Sequence, residues 1–228
     1  MTLADRLKSV RDRMARAAEQ AGRRAEEVTL VAVSKTRTVA EIQEALRAGL
    51  QVLGENRVQE AEEKQGSVSL PAHWHLIGHL QTNKVKKAVE IFDLIHSVDS
   101  LPLAQEIDRR AERMGKVADA LVQVNTSGEE SKSGVEPEEA LDLIGAVSGL
   151  KSVRVRGLMT IGALGAEGDR ARPFFVVLRG IRDRVAAARI AGVSMEHLSM
   201  GMTGDFEAAI EEGATLVRVG TAIFGVRP

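Results

Sequence analysis

The sequence predicts an α/β protein built as a single (β/α)8 barrel, and three observations carry that expectation. Apolar runs of strand length alternate with helical patterns along the whole chain. Eight such runs occur, enough parallel strands to close a cylinder when successive strands are joined by crossover helices. The length of 228 residues suits one barrel, for which about 250 is typical, and leaves little room for a second core. Residues 1–228 are therefore expected to form one domain, with a doubly wound open sheet as the alternative.

Leu3, Leu7, Val10, Met14, Ala17 and Ala21 recur at alternating four- and three-residue spacings, with charges between them. That pattern predicts an extra amphipathic helix ahead of the first strand, capped by Thr2 and ended by Gly22. Strands follow over Leu30 to Ser34, Gln51 to Gly54, Trp74 to Gly78, Leu94 to Val98, Ala120 to Asn125, Val155 to Thr160, His197 to Met200 and Leu216 to Gly220. Helical patterns lie between them at Val39 to Ala48, Val58 to Lys64, Lys84 to Ile91, Leu101 to Met114, Pro137 to Val147, Arg172 to Ala191 and Phe206 to Glu212. Gly49, Gly115, Gly149, Gly192 and Gly213 supply stops, and Pro137 a start. The polar stretch Thr126 to Gly134 reads as a mobile loop after the fifth strand, on the face where barrels build their sites.

Composition removes several function classes. With 31 basic against 32 acidic residues there is no global attraction to nucleic acid or an anionic membrane, and neither is expected as a partner. The absence of cysteine excludes disulfides, thiolate metal sites and thiol nucleophiles. The charged segment Met1 to Gly22 is no secretory signal, and no apolar run approaches the roughly 18 residues of a membrane span, so a cytoplasmic protein is expected. Tyrosine is also absent, so the chain supplies no phenolic acid or base.

Lys35 stands at the end of the apolar run Leu30-Val31-Ala32-Val33-Ser34, and period-two alternation places it on the face of Val31 and Val33. Its ordinary reading is a solvated lysine past a strand end. At the catalytic face of a barrel, however, a desolvated lysine suits a Schiff base with a carbonyl substrate or with pyridoxal 5'-phosphate (PLP). A phosphate site would favour the cofactor. Ser199-Met200-Gly201-Met202-Thr203-Gly204 after the seventh strand and Gly220-Thr221-Ala222 after the eighth occupy the loops where barrels commonly bind phosphate. Glycine admits backbone N–H groups, Ser199 and Thr221 add hydroxyls, and the carboxylate of Asp205 directs the anion towards Gly220 and Thr221. Arg218 alternates with Leu216 and Gly220, a guanidinium suited to an acid partner, a ring nitrogen or a substrate carboxylate. His73, His75 and His79 form H-W-H-x-x-x-H, the basis for a metal-dependent barrel hydrolase as a further alternative.

Seven segments, in order, resemble the pyridoxal phosphate homeostasis protein family, the YggS/PROSC-like family. They are LVAVSKTR around Lys35, GENRVQE from Gly54, WHLIGHLQTNKVK from Trp74, IHSVDS from Ile95, RGLMTIG from Arg156, LSMGMTGDFEAAI from Leu198 and VRVGTAIFG from Val217. The resemblance implies a barrel like the alanine racemase N-terminal domain, with Lys35 forming the Schiff base with PLP. It also implies Asn56 beside the cofactor, Arg218 near its ring nitrogen, and Ser199, Gly220 and Thr221 near its phosphate, with Met200 as a further cofactor-binding residue. Leu53 and Arg57 depart from the family, where aromatic residues are frequent at those positions. The function implied is buffering or delivery of PLP, with PLP-dependent apoenzymes as recipients and a monomer or weak homodimer as the working state. A PLP-dependent amino-acid racemase is the alternative, but racemases of this fold need a tyrosine from a second domain, and this chain shows neither.

Overall fold

The structure, a computed structural model, describes residues 1–129, 132–163 and 165–226. Eight parallel strands, each paired with its sequence neighbours, close when β8 pairs with β1. They are β1 (Thr29–Val33), β2 (Val52–Glu55), β3 (His73–Leu76), β4 (Leu94–Val98), β5 (Ala118–Gln123), β6 (Val153–Met159), β7 (His197–Ser199) and β8 (Leu216–Val219). The barrel expected from sequence is therefore the barrel observed, and the open-sheet alternative is not. The Thr126 to Gly134 loop includes residues 130 and 131, which lie outside the described residues.

Helices occupy the crossovers: α2 (Val39–Arg47), α3 (Val58–Gln65), α4 (Val85–Ile91), α5 (Leu101–Arg113), α6 (Ala140–Ser148), α7 (Arg172–Ala188) and α8 (Phe206–Glu211). Two helix boundaries differ from the sequence pattern by more than one residue. Pro137 lies in a preceding turn, closed by the Glu139 N–H on the Glu136 carbonyl, and α6 starts only at Ala140. Arg189 adopts the left-handed conformation (φ 49°) and stops α7 before Ala191. Val31, Val52, Ile77, Leu94, Leu121, Met159 and Leu216 pack inside the barrel, while a larger apolar layer fills the space between strands and helices.

The extra N-terminal helix, α1 (Leu3–Gln20), is opened by a reciprocal Thr2–Asp5 capping box, and Gly22 turns the chain at φ 67°. Its place explains its presence. The helix after β8 is only one turn long, α9 (Thr221–Phe224), too short to cover its sector of the barrel. α1 lies against α8 and α9 and supplies the missing cover, burying Leu3, Leu7, Val10 and Met14. Its polar edge is tied there as well: Arg6 Nε donates to the Ile223 carbonyl at 2.6 Å, and the Arg13 guanidinium pairs with Glu207 and stacks 4.6 Å from the Phe206 ring centre. Among the described residues no helix is long and apolar enough to cross a membrane.

If α1 completes the helical layer, Leu7→Ala should lower the unfolding free energy by about 2–5 kcal/mol in a denaturant titration. An unchanged midpoint would mean that α1 lies on the barrel without supporting it.

Candidate functional site

The C-terminal ends of β1, β2, β7 and β8 bring most of the expected residues to one rim. Lys35, half-buried, follows β1 by two residues in a turn whose next residue, Thr36, has φ 63°. Asn56 follows β2 and borders two cavities of about 550 and 310 Å³; the first also meets Arg57, Gly78, His79 and Lys84. Gly78 is required there, because a Cβ would stand 2.3 Å from the Asn56 carbonyl oxygen. Gly220 brings the loop after β8 against β1: its absent Cβ would meet the Val33 Cβ at 3.3 Å. Thr221 is exposed at the start of α9, and its hydroxyl donates to that of Thr203 at 3.3 Å, joining the loops after β7 and β8. Arg37, buried two residues beyond Lys35, donates to the Gly225 carbonyl and lies 5.6 Å from the Phe224 ring centre, so the lysine turn and α9 are held together.

Arg218 is 4% exposed, on the inner face of β8, where it pairs in register with Val31. Its Nη1 donates to Ser199 Oγ at 2.6 Å and its Nη2 to the Thr160 carbonyl at 2.7 Å. Burial pulls its pKa down to about 10, opposed by the charge of Asp205. Asp205 is itself pushed up by burial, against the Met202 N–H bonded to it and the charge of Arg218. A guanidinium has five N–H groups, and these two bonds leave others to serve a ligand in the barrel mouth.

Below Arg218 the hydrogen bonds continue through the barrel. Ser199 Oγ lies 2.9 Å from His96 Nδ1, and His96 Nε2 lies 3.0 Å from His75 Nδ1. Because arginine only donates, Ser199 accepts from it and can give its own hydrogen to His96. His96 then carries its hydrogen on Nε2 and donates to His75. His75 borders a cavity of about 270 Å³ at the opposite end of the barrel, with His73, His197, Asp93, Asp119 and Arg156. Burial holds the His75 pKa down at about 4 and that of His96 well below its usual value.

Two of the expected cofactor-binding residues, Ser199 and Met200, have partners within the protein. The buried Ser199 hydroxyl is engaged between Arg218 and His96, because alternation turns this last residue of β7 inward. Met200, the next residue, turns outward into the apolar layer, and its N–H is spent on the Leu216 carbonyl. Leu53 likewise faces the helices, so the missing aromatic ring there takes nothing from the rim. His73 and His75 lie at the start of β3, and His79 beyond its far end. Among the described residues no group of three or more histidine, aspartate or glutamate side chains is arranged to hold a metal.

Sequence reasoning missed a second layer behind the rim. Glu55, fully buried at the end of β2, accepts at 2.7 Å from both Ser34 Oγ and Lys64 Nζ. Lys64 also reaches the Ser34 carbonyl and Glu60 Oε1, each at 2.7 Å, and Glu60 accepts from the Thr36 N–H. Burial raises the Glu55 pKa, with the Lys64 and Ser34 bonds acting against it. The available signal was period: Ser34 and Glu55 fall on the outward face of their strands, where a polar residue needs a partner from a helix.

A model of the alanine racemase N-terminal domain family matches residues 6–228. The pyridoxal phosphate homeostasis protein of Aquifex aeolicus is 46% identical over 228 residues, covering 100% of this chain and 99% of that protein. Its namesake from Escherichia coli K12 is 40% identical over 233 residues, with 99% and 97% covered. Among solved structures, PipY of Synechococcus elongatus with PLP bound superposes with a TM-score of 0.86 at 37% identity, over 98% of this chain and 100% of that one. An alanine racemase of Clostridium difficile gives a TM-score of 0.76 at 17% identity over 98% of this chain and 57% of that one, a likeness of fold alone.

The buried histidines make stability depend on pH. A His75 pKa near 4 in the fold, against 6.5 when exposed, means that the unfolded chain takes up the proton first. Stability should fall as pH drops from 6.5 towards 4, by up to about 1.4 kcal/mol per pH unit from this residue. Denaturant titrations across that range should show a flatter slope in His75→Gln than in the wild type.

Proposed function

The chain belongs to the pyridoxal phosphate homeostasis protein family, and on that premise we propose that residues 1–228 form one barrel domain that holds PLP as a Schiff base on Lys35 and buffers or delivers it. The observation that carries this reading is the combination of Lys35 at the rim with a buried guanidinium beneath the mouth. The residues present fit the cofactor. Lys35 offers an amine, Arg218 offers N–H donors not used by Ser199 or Thr160, and Gly220 and Thr221 offer a small-residue loop with a hydroxyl. When bound, PLP supplies an electrophilic aldehyde and a conjugated ring able to accept electrons.

Arg218 separates holding from turnover. Even at about 10, its pKa keeps the guanidinium charged at neutral pH, so opposite a ring nitrogen it donates a hydrogen bond and leaves that nitrogen unprotonated. An unprotonated ring is the weaker electron sink. A racemase also needs an acid or base on each face of its substrate, and no tyrosine is present to serve as one. The curated relatives whose length this chain spans almost entirely carry the homeostasis name. We therefore favour a cofactor carrier over a racemase, acting in the cytoplasm as a monomer or weak homodimer, with PLP-dependent apoenzymes as recipients.

The protein mixed with PLP should show a visible absorption band that Lys35→Ala abolishes. Borohydride reduction followed by peptide mass mapping should place the modification on Lys35, while alanine and serine remain unracemised. A band that survives Lys35→Ala, or robust racemisation of either amino acid, would overturn the reading.

A further inference from the structure

β1 ends at Val33, so the peptide groups on either side of the Lys35 Cα lie beyond the strand and need other partners. Both find one on α3, and the Ser34 carbonyl accepts besides from the Arg37 N–H at 3.0 Å, which closes a turn around Lys35. The Ser34 carbonyl, in the peptide preceding Lys35, accepts from Lys64 Nζ at 2.7 Å. The Thr36 N–H, in the peptide following Lys35, donates to Glu60 Oε1. Glu60 and Lys64 stand one helical turn apart and are bonded to each other at 2.7 Å, so one ion pair grips both peptide planes. Fixing two successive peptide planes fixes φ and ψ of the residue between them, and with these the direction of its Cα–Cβ bond.

Two further observations show that this contact does more than fill space. Lys64 is buried, and its ammonium meets three acceptors, Ser34 O, Glu55 Oε1 and Glu60 Oε1, the full complement of its three hydrogens. Thr36 has φ 63°, a left-handed conformation that a β-branched residue rarely adopts unless its surroundings impose it. The turn closed by the Arg37 N–H on the Ser34 carbonyl calls for that conformation, and the bond from the Thr36 N–H to Glu60 is a second restraint on it.

We propose that Glu60 and Lys64 are positioning residues that aim Lys35 into the mouth of the barrel by clamping the peptide on each side of it. The inference rests on Lys35 being the cofactor-bearing residue, and it deepens that reading. Neither residue is a catalytic group; they act through the main chain.

The test uses the full chain with Glu60→Ala, Glu60→Gln and Lys64→Met, with and without Thr36→Gly. In the cofactor-free protein, the rate at which a small aldehyde with cyanoborohydride labels Lys35 is followed by peptide mass mapping, with the remaining lysines as internal reference. Labelling of Lys35 alone should slow by about tenfold in Glu60→Ala and Lys64→Met, the order expected when a reacting group is misdirected. PLP release should quicken in the same variants. Glu60→Gln, which keeps an acceptor oxygen for the Thr36 N–H, should stay near wild type. Thr36→Gly should recover part of the loss in Glu60→Ala, because glycine adopts positive φ without the clamp. Folded Glu60→Ala protein with wild-type labelling and release would overturn the proposal, as would equal changes at all lysines. Should Lys64→Met fail to fold because Glu55 loses its partner, Glu60→Ala, which leaves the Lys64–Glu55 pair in place, decides the matter. Failure of the carrier reading would appear separately, as wild-type protein that labels at Lys35 yet traps no PLP there.

Discussion

A guanidinium buried beneath the mouth of a closed barrel, with no carboxylate bonded to it among the described residues, is the constraint around which this molecule is arranged. Burial strips most of the water from Arg218, and the protein supplies neutral acceptors in its place. The Ser199 hydroxyl and the Thr160 carbonyl do so from two neighbouring strands. The choice of Ser199 then propagates: its hydrogen is best used by His96, whose second nitrogen is best used by His75. A polar column thus replaces part of the interior that other barrels fill with branched aliphatic side chains. Both histidines stay neutral because burial disfavours their charged forms, and at His96 the charge of Arg218 acts in the same direction.

The barrel interior and the layer around it follow different rules. Inside, the polar groups are neutral apart from Arg218, and hydrogen bonds run along the barrel axis. Outside, at the end of β1 and β2, full charges meet: Glu55, Glu60 and Lys64 lie between sheet and helix, where α3 brings the cation to two acids and a carbonyl. These two systems approach the rim from opposite sides of the sheet. Arg218 faces the mouth, and the charged cluster holds the main chain that bears Lys35.

Much of the fold was legible because apolar period records which way each residue faces. β4 matches its apolar run residue for residue, and the other strands shift by at most two residues at either end. The capping box at Thr2 was foreshadowed by its own residue type. The site was legible only in part. Lys35, Asn56, Arg218, Gly220 and Thr221 follow from position at strand ends. At Met200 alternation sends the side chain away from that of Ser199, into the apolar layer between strands and helices. Lys64 was invisible, since a lysine among glutamates on a short helix has the composition of a solvated face. Only the tertiary meeting of α3 with β1 reveals it as buried.

The cover that α1 gives to α8 and α9 joins the first segment of the chain to the last. During synthesis α1 emerges before any strand, and α8 and α9, the helices it packs against most, emerge only after β7. Its apolar stripe must therefore wait through almost the whole of translation, exposed or held by a chaperone, before it can dock. The Arg6–Ile223 bond spans 217 residues, and contacts of such separation must close a long loop before they contribute, which slows folding. The segment that follows β8, which contributes Thr221 to the rim, is thus held in place by the first helix of the chain.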